Sequence, residues 1–224
     1  MQYDINGTIA PCVRFDPSAG ETAWVSSGGL MSYTDGIAWQ IKVPGGAGGA
    51  VRRMLAGEGA GLTFVTAERD AGRFTVTASE PGRIVPWSLD EDGPVVTTRG
   101  AFLAAWGADV DIDVTIARRA GAAIFGGAGL LLQKISGRGS ALVHVSGDLD
   151  ERTLGPGETL TVSTGNLAAF SRDVDYDIVA VGSVGKFFFG GEGLFMTKLT
   201  GPQHGQGRVL LQTLKRGVTV ATKG

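Results

Sequence analysis

At 224 residues, 43% of them hydrophobic, the chain is long enough to bury a substantial core and reads as soluble and globular. With 20 Lys and Arg against 22 Asp and Glu, its formal charge of -2 excludes a general pull toward phosphate backbones or anionic membranes, so no nucleic-acid partner is expected. The single cysteine, Cys12, excludes an intramolecular disulfide and a multi-cysteine zinc site, and is expected to pack as a small buried hydrophobe.

The opening Met1-Gln2-Tyr3-Asp4-Ile5-Asn6-Gly7 has neither a basic n-region nor an apolar core, so a signal peptide is not expected and the cytoplasm is the default compartment. Pro44-Gly45-Gly46-Ala47-Gly48-Gly49 lacks the Gly-Lys-Ser/Thr ending of a phosphate-cradling loop and is read as a flexible connection. Residues 49–56 are the best helix candidate, yet they make only about two turns. Strands are predicted from period-two runs at Phe74-Thr75-Val76-Thr77, Ala141-Leu142-Val143-His144-Val145, Leu160-Thr161-Val162-Ser163 and Arg208-Val209-Leu210-Leu211-Gln212. Ser136-Gly137-Arg138-Gly139-Ser140 reads as a hairpin turn. The most apolar stretch, residues 120–132, is too short to span a bilayer and carries four glycines, so no transmembrane segment is predicted.

A glycine phrase comes round three times. Gly57-Glu58-Gly59, Gly127-Ala128-Gly129 and Gly191-Glu192-Gly193 each precede an apolar run, the second 70 residues after the first and the third 64 after the second. A second half recurs as well. Leu89 lies eleven residues before Gly100, as Leu154 does before Gly165, and near the N-terminus Gly20-Glu21 precedes Gly28 as Gly157-Glu158 precedes Gly165. One unit is therefore split across the termini, and a closed, three-fold pseudo-symmetric arrangement is the simplest geometry that joins its halves. The predicted fold is all-β, a single domain over residues 1–215. Its three repeats cover approximately 42–105, 120–170, and 184–212 completed by 5–35, and residues 216–224 form a tail.

Gly190-Gly191-Glu192-Gly193-Leu194-Phe195, Glu80-Pro81-Gly82-Arg83-Ile84 and Gly100-Ala101-Phe102-Leu103-Ala104 resemble, in order, motifs of the AIM24 family, formerly the DUF124 domain of unknown function. The resemblance runs from about residue 3 to 212. It implies three repeats similar to the subunit of the tryptophan RNA-binding attenuation protein, each a short double-stranded β-helix or β-sandwich about a pseudo-three-fold axis. Eukaryotic members are implicated in mitochondrial inner-membrane organisation, and bacterial members have no settled function. Two departures from the family pattern stand out: Ala128 replaces the usual Glu, and the turn at 201–207 is longer than its counterpart at 137–139.

Chemistry-bearing residues are sparse. His144 and His204 fall in different units and build no cupin-type metal set; His144 is read as a strand residue with one ring nitrogen hydrogen-bonded, His204 as a solvated loop residue. No serine nucleophile elbow occurs. Asp109, Asp111 and Asp113 recur 64 residues later as Asp173, Asp175 and Asp177, each trio on one strand face. They are read as an exposed face that resists edge pairing, with divalent-cation binding left open. Arg52-Arg53, Arg118-Arg119 and Lys186 are read as a solvated rim. Trp24, Trp39, Trp87 and Trp106 are assigned to core or interface packing. No catalytic, cofactor or metal site is predicted and no enzyme activity is expected. The functional expectation is a β scaffold or protein-interaction module that forms a homo-oligomer or docks to other proteins. Apolar phrases such as Phe187-Phe188-Phe189-Gly190 and Gly121-Ala122-Ala123-Ile124-Phe125 motivate it. The alternative is a small-ligand or nucleic-acid module using clefts between units.

Overall fold

A computed structural model of the chain describes residues 1–44, 61–117, 130–180 and 195–216. Among them lie nineteen strands and one short 3-10 turn, Thr164–Asn166. The first seven strands are β1 (Gln2–Asn6), β2 (Cys12–Asp16), β3 (Thr22–Val25), β4 (Leu30–Tyr33), β5 (Ile37–Lys42), β6 (Leu62–Ala67) and β7 (Phe74–Thr77). Next come β8 (Gly82–Ser88), β9 (Val95–Thr98), β10 (Phe102–Trp106), β11 (Asp111–Ala117), β12 (Leu130–Ser136) and β13 (Ser140–Ser146). The last six are β14 (Leu149–Leu154), β15 (Thr159–Ser163), β16 (Leu167–Ser171), β17 (Asp175–Ala180), β18 (Phe195–Thr200) and β19 (Gly207–Gln212). The all-β class is as predicted, and each of the four period-two runs lies in a strand, at β7, β13, β15 and β19. The glycine phrases, the helix candidate at 49–56 and the cations Arg52, Arg53, Arg118, Arg119 and Lys186 lie outside the described residues.

Two six-stranded antiparallel sheets carry the orders β5-β6-β3-β10-β13-β8 and β11-β12-β9-β16-β19-β14, the second being the first with six added to every label. The same step taken again leads to β17-β18-β15 and then to β4-β7-β2, but these stand as two separate sheets, the second extended by β1. Where β3 pairs β10 and β9 pairs β16, β15 and β4 each end a sheet among the described residues.

Burial explains the sequence pattern. β7 alternates strictly, with Phe74 and Val76 inward, because one face only meets a core. β9, β10 and β13 are buried almost end to end because each lies between two cores. In β13, Ala141, Val143 and Val145 enter a central core with Trp87, Val95 and Ile112, while Leu142 enters a first core with Phe15, Phe74 and Trp106. A third core gathers Leu167, Phe170, Leu199 and Val209. Opposite faces of one strand thus serve different cores, and alternation of side chains is what lets them do so. The alanines Ala104, Ala105, Ala141, Ala168 and Ala169, none more than 1% exposed, keep the adjoining layers close.

Two expectations are corrected. The turn at 136–140 is tight, but β12 and β13 pair with other strands and lie in different sheets, so it is a corner and not a hairpin. Its glycines allow the crossing: Gly139 has φ +131° and packs on the turn at Gly107, where φ is +136°. A Cβ on Gly139 would lie 2.2 Å from the Trp106 carbonyl oxygen. Cys12 is half-buried, not buried, because it opens β2 at the sheet margin while its neighbour Val13 takes the inward position.

Gly139→Ala adds both a clash and an unfavourable positive φ, so it should lower unfolding free energy by about 2–3 kcal/mol. Urea titration checks this, with unchanged stability the contrary result.

Candidate functional site

Two residues of each acidic trio lie in a strand, Asp111 and Asp113 in β11 and Asp175 and Asp177 in β17, the first of each pair exposed and the second half-buried. Asp111 and Asp175 point to solvent while Ile112, Val114 and Ile178 point inward. Register adds what spacing does not disclose: Asp113 lies opposite Lys134 and Asp177 opposite Lys198, so each carboxylate has a cation across the ladder. Asp109 and Asp173 precede their strands. Among the described residues no group of three His, Cys, Asp or Glu side chains is close enough to hold a metal ion.

His144 and His204 are far apart in environment. His204 sits exposed in the turn before β19. His144 is buried in β13, where its Nδ1 accepts a hydrogen bond from Arg216 Nη2, which also donates to the His144 carbonyl at 3.2 Å. Arg216, the first residue of the expected tail, further donates from Nε to Glu80 Oε2 at 3.2 Å, and Ser146 Oγ donates to that same oxygen. Its backbone N–H reaches the Gly165 carbonyl, and Leu214 N–H reaches Ser146, so the segment after β19 is tied across β13. Ser146, His144 and Glu80 have the residue types of a nucleophile, base and acid, yet Ser146 is bonded to the carboxylate and His144 to the guanidinium. No bond joins Ser146 to His144, so the serine proton is not directed to the imidazole.

Burial pushes the His144 imidazole down to about 4, and the Arg216 charge beside it acts in the same direction. The Ser146 hydrogen bond is the leading cause that holds the Glu80 carboxyl below its usual range, and Arg216 adds to it. His144 Nε2 and Arg216 Nη1 are buried without hydrogen-bond partners, and although Glu80 favours a protonated ring, burial and the Arg216 charge outweigh it.

The surface that the geometry singles out is a cleft of about 510 Å³ between β4 and β5, lined by Leu30, Met31, Ser32, Tyr33, Trp39 and Ile41. Tyr33 and Trp39 meet edge to face with ring centroids 6.4 Å apart. Four of these side chains are exposed: Met31 at 63%, Tyr33 at 53%, Trp39 at 46% and Ile41 at 59%. Their ladder positions make this unusual. β4, β10 and β16 share one bulge, which aligns Met31 with Leu103 and Ala168, and Tyr33 with Ala105 and Phe170. In the same way β5, β11 and β17 align Trp39 with Ile112 and Tyr176, and Ile41 with Val114 and Ile178. All of the aligned residues are buried except half-buried Tyr176. Positions that form core twice are uncovered the third time.

Sequence reasoning missed this cleft because Ile37, Trp39 and Ile41 alternate as a core-facing strand does. Only Ile37 is buried. Of the other tryptophans, Trp87 and Trp106 are core, and Trp24 packs edge to face on Phe64.

These features define an all-β protein of repeated antiparallel ladders with an uncovered apolar face at β4 and β5. The chain belongs to the AIM24 family, whose model, described as mitochondrial biogenesis AIM24, matches residues 3–214. An uncharacterised protein of Streptococcus pyogenes serotype M6 is 30% identical, the alignment covering 96% of this chain and 86% of that protein. The X-ray crystal structure of a Streptococcus pyogenes protein is similar with a TM-score of 0.77 at 26% identity, over 96% of this chain and 94% of that one. No helix among the described residues is long and apolar enough to cross a membrane.

The histidine cluster makes a pH prediction. The unfolded chain protonates His144 near 6.5 and the folded chain only near 4, so the folded state binds fewer protons between them and stability falls as pH drops through that window. The loss should approach about 3 kcal/mol from pH 7 to pH 4, the size set by a shift of this order. His144→Gln should flatten the window in urea titrations at stepped pH; an equally steep loss in the variant would contradict the assignment.

Proposed function

We propose that this protein is a non-catalytic β scaffold that assembles with copies of itself through the β4–β5 face. The observation that carries the reading is the exposure of Met31, Tyr33, Trp39 and Ile41 at ladder positions that are core in the other two ladders. Aromatic and methionine side chains gathered at a cleft are the composition of an association surface. The recurring ladder order also supports three repeats close to the expected 42–105, 120–170, and 184–212 completed by 5–35. In that reading the repeats keep the likeness to the tryptophan RNA-binding attenuation protein subunit, and the β4 side of the association face belongs to the unit split across the termini. A second reading rests on the cleft volume, which falls in the range of small-ligand pockets.

Trp39→Glu places a charge on the face without touching the cores. Sedimentation velocity across a dilution series should show a discrete assembly of the native chain and at least a tenfold weaker one for the variant, with equal thermal stability. A native chain that is monomeric at every concentration would overturn self-assembly, and a retained small molecule seen in native mass spectrometry would favour the ligand reading.

A further inference from the structure

Resting on that reading, the geometry points to the partner surface: we infer that the β4 edge of one copy pairs antiparallel with the β15 edge of another. Strands β4 and β15 hold the places that β10 and β3, and again β16 and β9, hold in the intact sheets. At those two junctions the pairing is Ala104 with Val25, Ala105 with Trp24 and Trp106 with Ala23, and then Ala169 with Thr97, Phe170 with Val96 and Ser171 with Val95. The middle-strand positions fix the rest of the register, because Val25, Thr97 and Val162 lie opposite Thr63, Gln133 and Thr197 in their ladders. Carried to the open junction, this register sets Ser32 opposite Val162, Tyr33 opposite Thr161, and Thr34 opposite Leu160.

Three further facts favour a second copy as the occupant. Both edges are uncharged along their length, Leu30-Met31-Ser32-Tyr33 against Thr159-Leu160-Thr161-Val162-Ser163, so neither carries the lysines or prolines that blunt a sheet edge. Each strand is seated in a different core, Leu30 against the first and Val162 in the third, and in those seats the chain's own β4 and β15 do not pair. A second copy can supply its β15 to the β4 edge with both strands left in these seats. The uncovered Tyr33, Trp39 and Ile41 adjoin the β4 edge, so an added strand and its sheet cover them as they extend the ladder. The contact is head to tail, joining different surfaces of the two copies, and it therefore closes into a ring or grows as a filament.

Hydrogen exchange read at low and high protein concentration tests the pairing in the native chain. Residues 30–34 and 159–163 should both slow together in the assembly, by at least tenfold. Cysteine cross-linking then reads the register in a Cys12→Ala background. Mixing a Tyr33→Cys chain with a Thr161→Cys chain should give a disulfide-linked pair of chains, since directly opposed strand residues meet the distance a disulfide needs. Tyr33→Cys mixed with Leu160→Cys should not, because adjacent strand residues face opposite sides. An assembly in which either segment still exchanges fast and no mixed cross-link forms would overturn the pairing while leaving self-association standing. A chain carrying both Tyr33→Cys and Thr161→Cys that oxidises to a monomer would show closure within one chain and overturn it as well. Absence of any assembly would instead remove the reading on which the inference rests.

Discussion

A strand inside a sheet has backbone donors and acceptors on both edges, and each must find a partner or face water. That constraint organises this protein. Each ladder must therefore be continued or ended. The two six-stranded sheets satisfy it internally and end on β5, β8, β11 and β14. Among the described residues the remaining strands do not complete a third such sheet, and the break falls between β4 and β15. Met31, Tyr33, Trp39 and Ile41 are exposed beside that break.

Strands β9, β10 and β13 are each shared between two cores, and the small residues Ala104, Ala105, Ala141, Ala168 and Ala169 let the layers meet closely. The segment after β19 adds a polar tie, with Arg216 bridging His144 and Glu80 across β13. Burying a neutral imidazole beside a guanidinium fixes the protonation state of His144, so the tie doubles as a point of acid sensitivity.

Much of the architecture was legible in the sequence because a period of two is a local property. Phe74 to Thr77 and Leu160 to Ser163 announce their strands by alternation alone, and the 64-residue recurrence of the Asp trios marks equivalent strands β11 and β17. What was not legible depends on which strands meet. The corner at Gly137 and Gly139 looks like a hairpin until β12 and β13 are seen in different sheets. Lys134 and Lys198 face the aspartates only through register, and Arg216 reaches His144 across 72 positions with no local pattern to announce it. Trp39 and Ile41 carry the signature of core residues, yet they are exposed beside the edge strand β4.

The central claim is that this uncovered face is an association surface. Hydroxyl-radical footprinting across a dilution series tests it most directly, since it reads Met31, Tyr33, Trp39 and Ile41 in one experiment. The account predicts that labelling of all four falls together as concentration rises, while exposed Ile9, elsewhere on the surface, stays constant. Labelling of the four that does not change with concentration would contradict it.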